Sequence, residues 1–147
     1  MIDIHVSTVI AAPLDAVWRL ASDFNGLPRW HPAATDSRIE EGAANNQIGC
    51  VRNFALADGS GRVRESLLAL SAPEHDIVYD MLEAPLPFLD YVAHMHFEPI
   101  TDGHLTFARW TARFRAGDGQ SDHWRAFVAD EVFLGGFKAL EVAARGR

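Results

Sequence analysis

Two hydrophobic periods alternate along the chain, and the switches between them outline its elements. Residues 2–10 are apolar at Ile2, Ile4, Val6 and Ile10 and polar at Asp3, His5 and Ser7, a period of two that predicts a strand. A helical period then begins in Ala12-Pro13-Leu14-Asp15-Ala16-Val17-Trp18. Proline suits the first helical position, and Val17, Leu20, Ala21 and Phe24 form one apolar stripe that ends near Asn25-Gly26. Residues 27–32 predict one short helical turn bounded by Pro32. The period of two then returns, with strands predicted over 34–41, 49–57, 60–71, 76–83, 91–99 and 104–115. The turn sequences Glu41-Gly42, Asp58-Gly59, Ala72-Pro73, Pro85-Leu86-Pro87 and Thr101-Asp102-Gly103 divide them. Ser121 is placed to cap a last helix over 122–144. That helix carries Trp124, Phe127, Val128, Val132, Phe133, Leu134, Phe137, Leu140 and Val142 around much of its circumference, which predicts extensive burial. Gly135-Gly136 interrupts it, and two explanations stand: close packing against the sheet, or room for a ligand.

The hairpin around Asp58-Gly59 carries the most chemistry. A tight two-residue turn there, with positive φ at both positions, fixes a register: Leu56 opposite Gly61, Phe54 opposite Val63, Arg52 opposite Glu65, and Cys50 opposite Leu67. One face then reads Cys50, Phe54, Leu56, Val63 and Leu67 with one cation and one anion among them. The other carries Asn53, Ser60, Arg62, Arg64 and Ser66, which suit water. Two charges on a dry face are costly unless paired, so Arg52 and Glu65 are candidates for a polar anchor inside a pocket. A purely structural ion pair tying two strands is the competing explanation.

Composition narrows the classes. A chain of 147 residues with 48% apolar and 22% charged residues fits a single globular domain over 1–147. A net charge of -7 argues against a nucleic-acid or anionic-membrane surface, and the terminal pair Arg145 and Arg147 is too small a basic cluster to reverse that. There is no apolar run of membrane-span length and no signal-peptide pattern at Met1-Ile2-Asp3-Ile4-His5, so a cytoplasmic location is expected. Cys50, the single cysteine, reads as a small core residue rather than a nucleophile. No phosphate-binding glycine loop, zinc-protease helix or nucleophile elbow is present, and no cofactor is expected.

The order of elements and a set of short motifs resemble the START-like, or SRPBCC, ligand-binding superfamily, in its polyketide cyclase/dehydrase branch. The motifs are Ala11-Ala12-Pro13-Leu14-Asp15-Ala16-Val17-Trp18, Asp23-Phe24, Trp30-His31-Pro32, Gly49-Cys50-Val51-Arg52, Glu65 with Leu67, Tyr79, Pro85-Leu86-Pro87, Asp90-Tyr91-Val92-Ala93, Trp110 with Phe114, and 135–140. The resemblance implies an α+β helix-grip fold: a seven-stranded curved antiparallel sheet wrapped around a long C-terminal helix, with two short helices after the first strand. It also implies an internal cavity for a hydrophobic or aromatic small molecule, and an Arg on the third strand with a Glu on the fourth, matching Arg52 and Glu65. The chain departs from the family's usual pattern at His94 and His96.

The expected ligand-binding residues are Trp30, His31, Phe54, Leu67, Tyr79, Met81, Tyr91, Met95, Trp110 and Phe114, with Trp30 and His31 at a rim. His31 reads either as a general acid near the mouth or as a packing or capping group, and Tyr79, Tyr91 and Trp110 read equally as plain core. Three functions follow: a carrier or sensor of a hydrophobic small molecule; a cyclase or dehydratase in which Arg52 polarises a carbonyl and Glu65 or Tyr79 moves a proton; and a partner-binding protein, such as a homodimer, docking through 84–89, a segment that equally suits closing one end of the cavity. His94 and His96 share one strand face that is predicted outward. With no acidic or thiol partner at ligand spacing, no metal is expected there.

Overall fold

A computed structural model describes residues 1–146; Arg147, half of the terminal basic pair, lies outside them. The strands are β1 (Ile2–Ile10), β2 (Ala34–Ile39), β3 (Val51–Leu56), β4 (Arg62–Ser71), β5 (Asp76–Asp80), β6 (Phe88–Ile100) and β7 (Leu105–Ala116). They form one curved antiparallel sheet in the order β1, β7, β6, β5, β4, β3, β2. Helix α1 (Leu14–Ala21) and a 3-10 helix (Phe24–Arg29) connect β1 to β2. The terminal helix is continuous over 121–145 but changes winding: α2 (Ser121–Ala126), a π-helical stretch (Phe127–Leu134) and α3 (Gly135–Arg145). It lies on the concave face, as the helix-grip expectation requires.

Alternation decides which side chains reach that face. Ile77 and Tyr79 on β5, Tyr91, Ala93, Met95 and Phe97 on β6, and Ala108, Trp110, Ala112 and Phe114 on β7 are all buried. Bulges reset the alternation where it would fail. Asp90 adopts φ 56° and the β6–β7 register shifts between Leu89 and Val92, so Phe88 and Tyr91 both turn inward although they are three residues apart. The sequence pattern began this strand at 91 because the bulge breaks its period.

Local details depart from expectation in instructive ways. Helix α1 stops at Ala21 rather than near Gly26, because the chain tightens into the 3-10 helix from Phe24. Ser121 is the first helical residue and does not cap; the preceding residue is Gln120, whose side chain makes no cap bond either. The terminal helix is buried on one face only: Val128, Phe133, Phe137 and Leu140 are enclosed, whereas Val142 is 72% exposed. The β3–β4 connection is a four-residue loop rather than a two-residue turn. Gly59 has positive φ, Asp58 does not, and the Ser60 N–H donates to Asp58 Oδ1.

Candidate functional site

The register predicted for the hairpin is nevertheless the one found. Phe54 pairs with Val63 and Arg52 with Glu65, while Leu56 and Leu67 donate to Gly61 and Cys50 respectively. Leu56 and Gly61 close the four-residue loop, and that preserves the register. Arg52 and Glu65 are both buried on the concave face. Arg52 donates from Nε to Glu65 Oε1 at 2.8 Å, and its Nη2 lies 2.7 Å from the same oxygen. Its Nη1 donates to the Phe24 carbonyl at 3.1 Å. The guanidinium also lies against two rings, 4.1 Å from the centroid of Phe24 and 4.8 Å from that of Tyr79.

This pair sits in the wall of a cavity of about 340 Å³ between the sheet and the π-helical stretch. Phe54, Val63, Met81, Phe88 and Trp110 supply apolar walls, and Tyr79, Tyr91 and Glu65 supply polar tips. The mouth lies among Ala57, Asp58 and Ser60 of the β3–β4 loop, Leu86 of the β5–β6 connection, and Phe127 and Glu131 of the helix.

Burial governs the ionisation here. It pushes the Glu65 carboxyl above its ordinary value even though Arg52 pulls the other way. It also raises the Tyr79 and Tyr91 hydroxyls well beyond the usual tyrosine range, so both stay protonated at neutral pH. The Trp110 indole N–H donates to the Tyr79 hydroxyl oxygen at 3.0 Å, leaving that hydroxyl its own hydrogen to donate. Cys50 is also raised by burial, in keeping with a core thiol rather than a nucleophile.

His31 takes the packing and capping role of the two expected for it. The Ala33 N–H donates to its Nδ1 at 3.1 Å, so the ring hydrogen resides on Nε2, which donates to the Val132 carbonyl at 2.9 Å. Burial holds the ring below its ordinary pKa, which favours this neutral form. Both nitrogens are thus engaged, and the ring pins the π-helical stretch. Gly136 makes this possible: a Cβ there would lie 2.9 Å from the His31 ring and 3.0 Å from Trp110. Close packing accounts for the second glycine of the pair.

Six of the ten expected ligand contacts line the cavity: His31, Phe54, Tyr79, Met81, Tyr91 and Trp110. Four do not. Trp30, Leu67, Met95 and Phe114 are buried but lie outside the cavity wall, and Trp30 is not at a rim. Sequence reasoning did not single out Leu27 and Glu131, which also line the wall. The apolar segment 84–89 is largely used internally. Pro85 packs beside Gly61, Leu86 lines the cavity, and Phe88 stacks on Tyr91 at 5.8 Å. It closes one end of the cavity, the other use expected for it, while Leu89 at its end stays 45% exposed.

The opposite face of the hairpin is less wet than its polarity suggested. Asn53 and Ser66 are buried beneath a charge network: Arg64 donates twice to Glu40, and Arg62 reaches Asp36 at 2.9 Å. The Arg64 hydrogen bonds, helped by Asn53, hold the Glu40 carboxyl down to about 2. On the outer face of the sheet His94 and His96 point outward as expected. The missing acidic partner is present, however: Asp76 of β5, brought alongside by strand pairing.

Comparison with known proteins agrees with this architecture. The family model described as polyketide cyclase/dehydrase and lipid transport matches residues 1–141. No match was found among curated proteins. An uncharacterised protein from Bacillus thuringiensis is similar at 26% identity and a TM-score of 0.84, over 98% of this chain and 99% of that one. The protein XoxI from Bacillus cereus is similar at 26% identity and a TM-score of 0.84, over 99% and 96% of the two chains. A Thermobifida fusca protein solved by solution NMR is 28% identical with a TM-score of 0.84, over 99% and 95%.

Proposed function

The chain belongs to the polyketide cyclase/dehydrase and lipid transport family, and from that premise we propose that it binds one small apolar ring compound in the cavity beneath the C-terminal helix. The observation that carries this proposal is the buried Arg52–Glu65 pair in the wall of an otherwise apolar cavity of about 340 Å³. That volume lies near the lower end of the range for small-molecule sites, roughly 300–1,000 Å³. The apolar walls favour a ring system. The protonated Tyr79 hydroxyl, which keeps its own hydrogen to donate, favours a carbonyl or hydroxyl oxygen on it, placed to accept from it. Both guanidinium contacts use Glu65 Oε1, so Oε2 is the oxygen suited to accept from a ligand hydroxyl.

A second reading, a cyclase or dehydratase, is favoured by one observation: burial raises the Glu65 carboxyl above its ordinary value, which makes it a stronger base. Glu65 would take a proton from the carbon next to a ligand carbonyl. The electron pair of that C–H bond would pass to the carbonyl oxygen as an enolate, which the Tyr79 hydroxyl stabilises by donating to it. Arg52 then acts as a positioning residue: its Nε and Nη2 hold Glu65 and its Nη1 holds Phe24, so it has little left to polarise a substrate.

One titration tests both readings. β-Naphthol is added to nitrogen-15-labelled protein and the four indole N–H signals, from Trp18, Trp30, Trp110 and Trp124, are followed. The Trp110 signal should move first, because its N–H bonds directly to Tyr79. Binding that leaves Trp110 unmoved, or no binding at all, would refute the cavity proposal. Repeating it with β-tetralone in deuterated water reads out catalysis. Exchange at the carbon beside the carbonyl that disappears in Glu65→Gln supports the enzyme, and binding without exchange supports the carrier.

A further inference from the structure

The convex face of the sheet carries a second cluster, on the far side from the cavity. His94 and His96 are two apart on β6, so both rings leave the sheet on the same side. Cross-strand pairing sets Asp76 of β5 directly opposite His96. His94 Nε2 and His96 Nδ1 each lie 2.7 Å from the same oxygen, Asp76 Oδ1. One ligating atom from each of the three residues falls within 4.8 Å of the others. The second nitrogen of His96, Nε2, is 2.9 Å from Glu98 Oε2. The His96 ring is therefore bracketed by two carboxylates, a place where positive charge is favoured.

We propose that Asp76, His94 and His96 bind one first-row divalent cation of the zinc type, through Asp76 Oδ1, His94 Nε2 and His96 Nδ1. Two imidazoles and one carboxylate suit zinc, copper or nickel better than magnesium or calcium, which prefer all-oxygen surroundings. Glu98 supplies the outer partner that metal-bound histidines usually have: it accepts from His96 Nε2, and the ion takes the place of the hydrogen that Nδ1 now donates to Asp76. The present spacings are hydrogen-bond distances. Donors around a tetrahedral ion at about 2.1 Å stand about 3.4 Å apart, so Asp76 must draw back from each ring by roughly 0.7 Å. They have the freedom to do so, because His94, His96 and Asp76 retain 37%, 16% and 29% side-chain exposure. That exposure also gives an ion access from solvent and leaves its fourth position to water. The opposing influence is Arg109, which faces His96 from β7 and lowers the affinity without entering the site. Once bound, the ion clips β5 to β6.

The test uses the full chain, stripped with a chelator and desalted, then titrated with zinc alone by calorimetry. One equivalent should bind, and zinc should raise the melting temperature. His94→Gln and Asp76→Asn should each weaken binding more than tenfold, Glu98→Gln about tenfold, and the remote His123→Gln not at all. Absent binding, or binding unchanged in folded Asp76→Asn, overturns the proposal. A readout on the unaltered protein guards against variants that fail to fold. Substoichiometric nickel should broaden the ring signals of His94 and His96 before those of His5, His104 and His123, and the reverse order would also overturn it. β-Naphthol binding in the cavity should be indifferent to zinc, so either proposal can fail without the other.

Discussion

Arg52 has few free directions: Glu65 holds two of its nitrogens, the Phe24 carbonyl holds the third, and aromatic rings lie against the guanidinium. Removing it therefore strands a buried carboxylate. Arg52→Met should lower stability at neutral pH by about 3–5 kcal/mol, the usual cost of an uncompensated buried charge. The pH dependence has a definite sign. Glu65 is raised above its ordinary 4.5 by folding. A carboxyl raised on folding contributes stability that is complete below the unfolded value and is lost as pH climbs through the folded one. Without Arg52 the folded value climbs further, so the variant's deficit should shrink from neutral toward acidic pH as the pH falls through that raised value and Glu65 becomes neutral. Adding Glu65→Gln to Arg52→Met should recover part of the loss at high pH. Urea melts of the three proteins across that range check this, and a deficit that stays constant with pH would contradict it. This pair was legible in the sequence because a turn signal and a period of two together fix which residues face each other. His31 was not: its partners, Val132 and Gly136, lie more than 100 residues away, and only tertiary docking brings them together.

Among the elements, the terminal helix makes the most specific demand on its sequence. Its two adjacent glycines look equivalent on paper, but their surroundings differ. At Gly136 a methyl group would meet His31 and Trp110 at 2.9–3.0 Å, whereas at Gly135 it would meet only the Asp130 carbonyl at 3.4 Å. Gly136→Ala should therefore destabilise the fold by about 1–3 kcal/mol through overpacking. Gly135→Ala should be neutral or stabilising by up to about 1 kcal/mol through helix propensity. Thermal melts of the two single variants decide it, and equal effects would mean that the helix does not sit where His31 can touch it. The same geometry explains which strand residues were misassigned. Alternation identifies the inward face of β4, β6 and β7, but it does not say where along that face the helix makes contact. Leu67, Met95 and Phe114 share the face with cavity residues but are buried outside the cavity wall. Asp76 escaped notice for a related reason. No tight turn links β5 to β6, so nothing in the linear sequence fixed the register that brings it to the histidines.

For the molecule as a whole, an internal void is a standing loss of stability, because the atoms lining it forgo contacts they would make in a solid core. A chain that keeps one near buried charges should become more stable when the void is filled and less able to bind. Val63 is the place to test this, since it is 1% exposed, lines the cavity and stands opposite Phe54 on the neighbouring strand. Val63→Ile adds one methylene and keeps the β-branched shape, so it should stabilise by up to about 0.8 kcal/mol, a rise in Tm of about 3 °C or less. Val63→Phe projects a ring into the same space and should abolish β-naphthol binding while the fold survives. Affinity should thus fall from valine to isoleucine to phenylalanine as the void shrinks, in the opposite sense to the stability of the isoleucine variant. A solid interior predicts the reverse for stability: both substitutions would overpack and lose about 1–3 kcal/mol. Melting curves of the two variants therefore test whether the molecule is hollow in solution, with no knowledge of the natural ligand required.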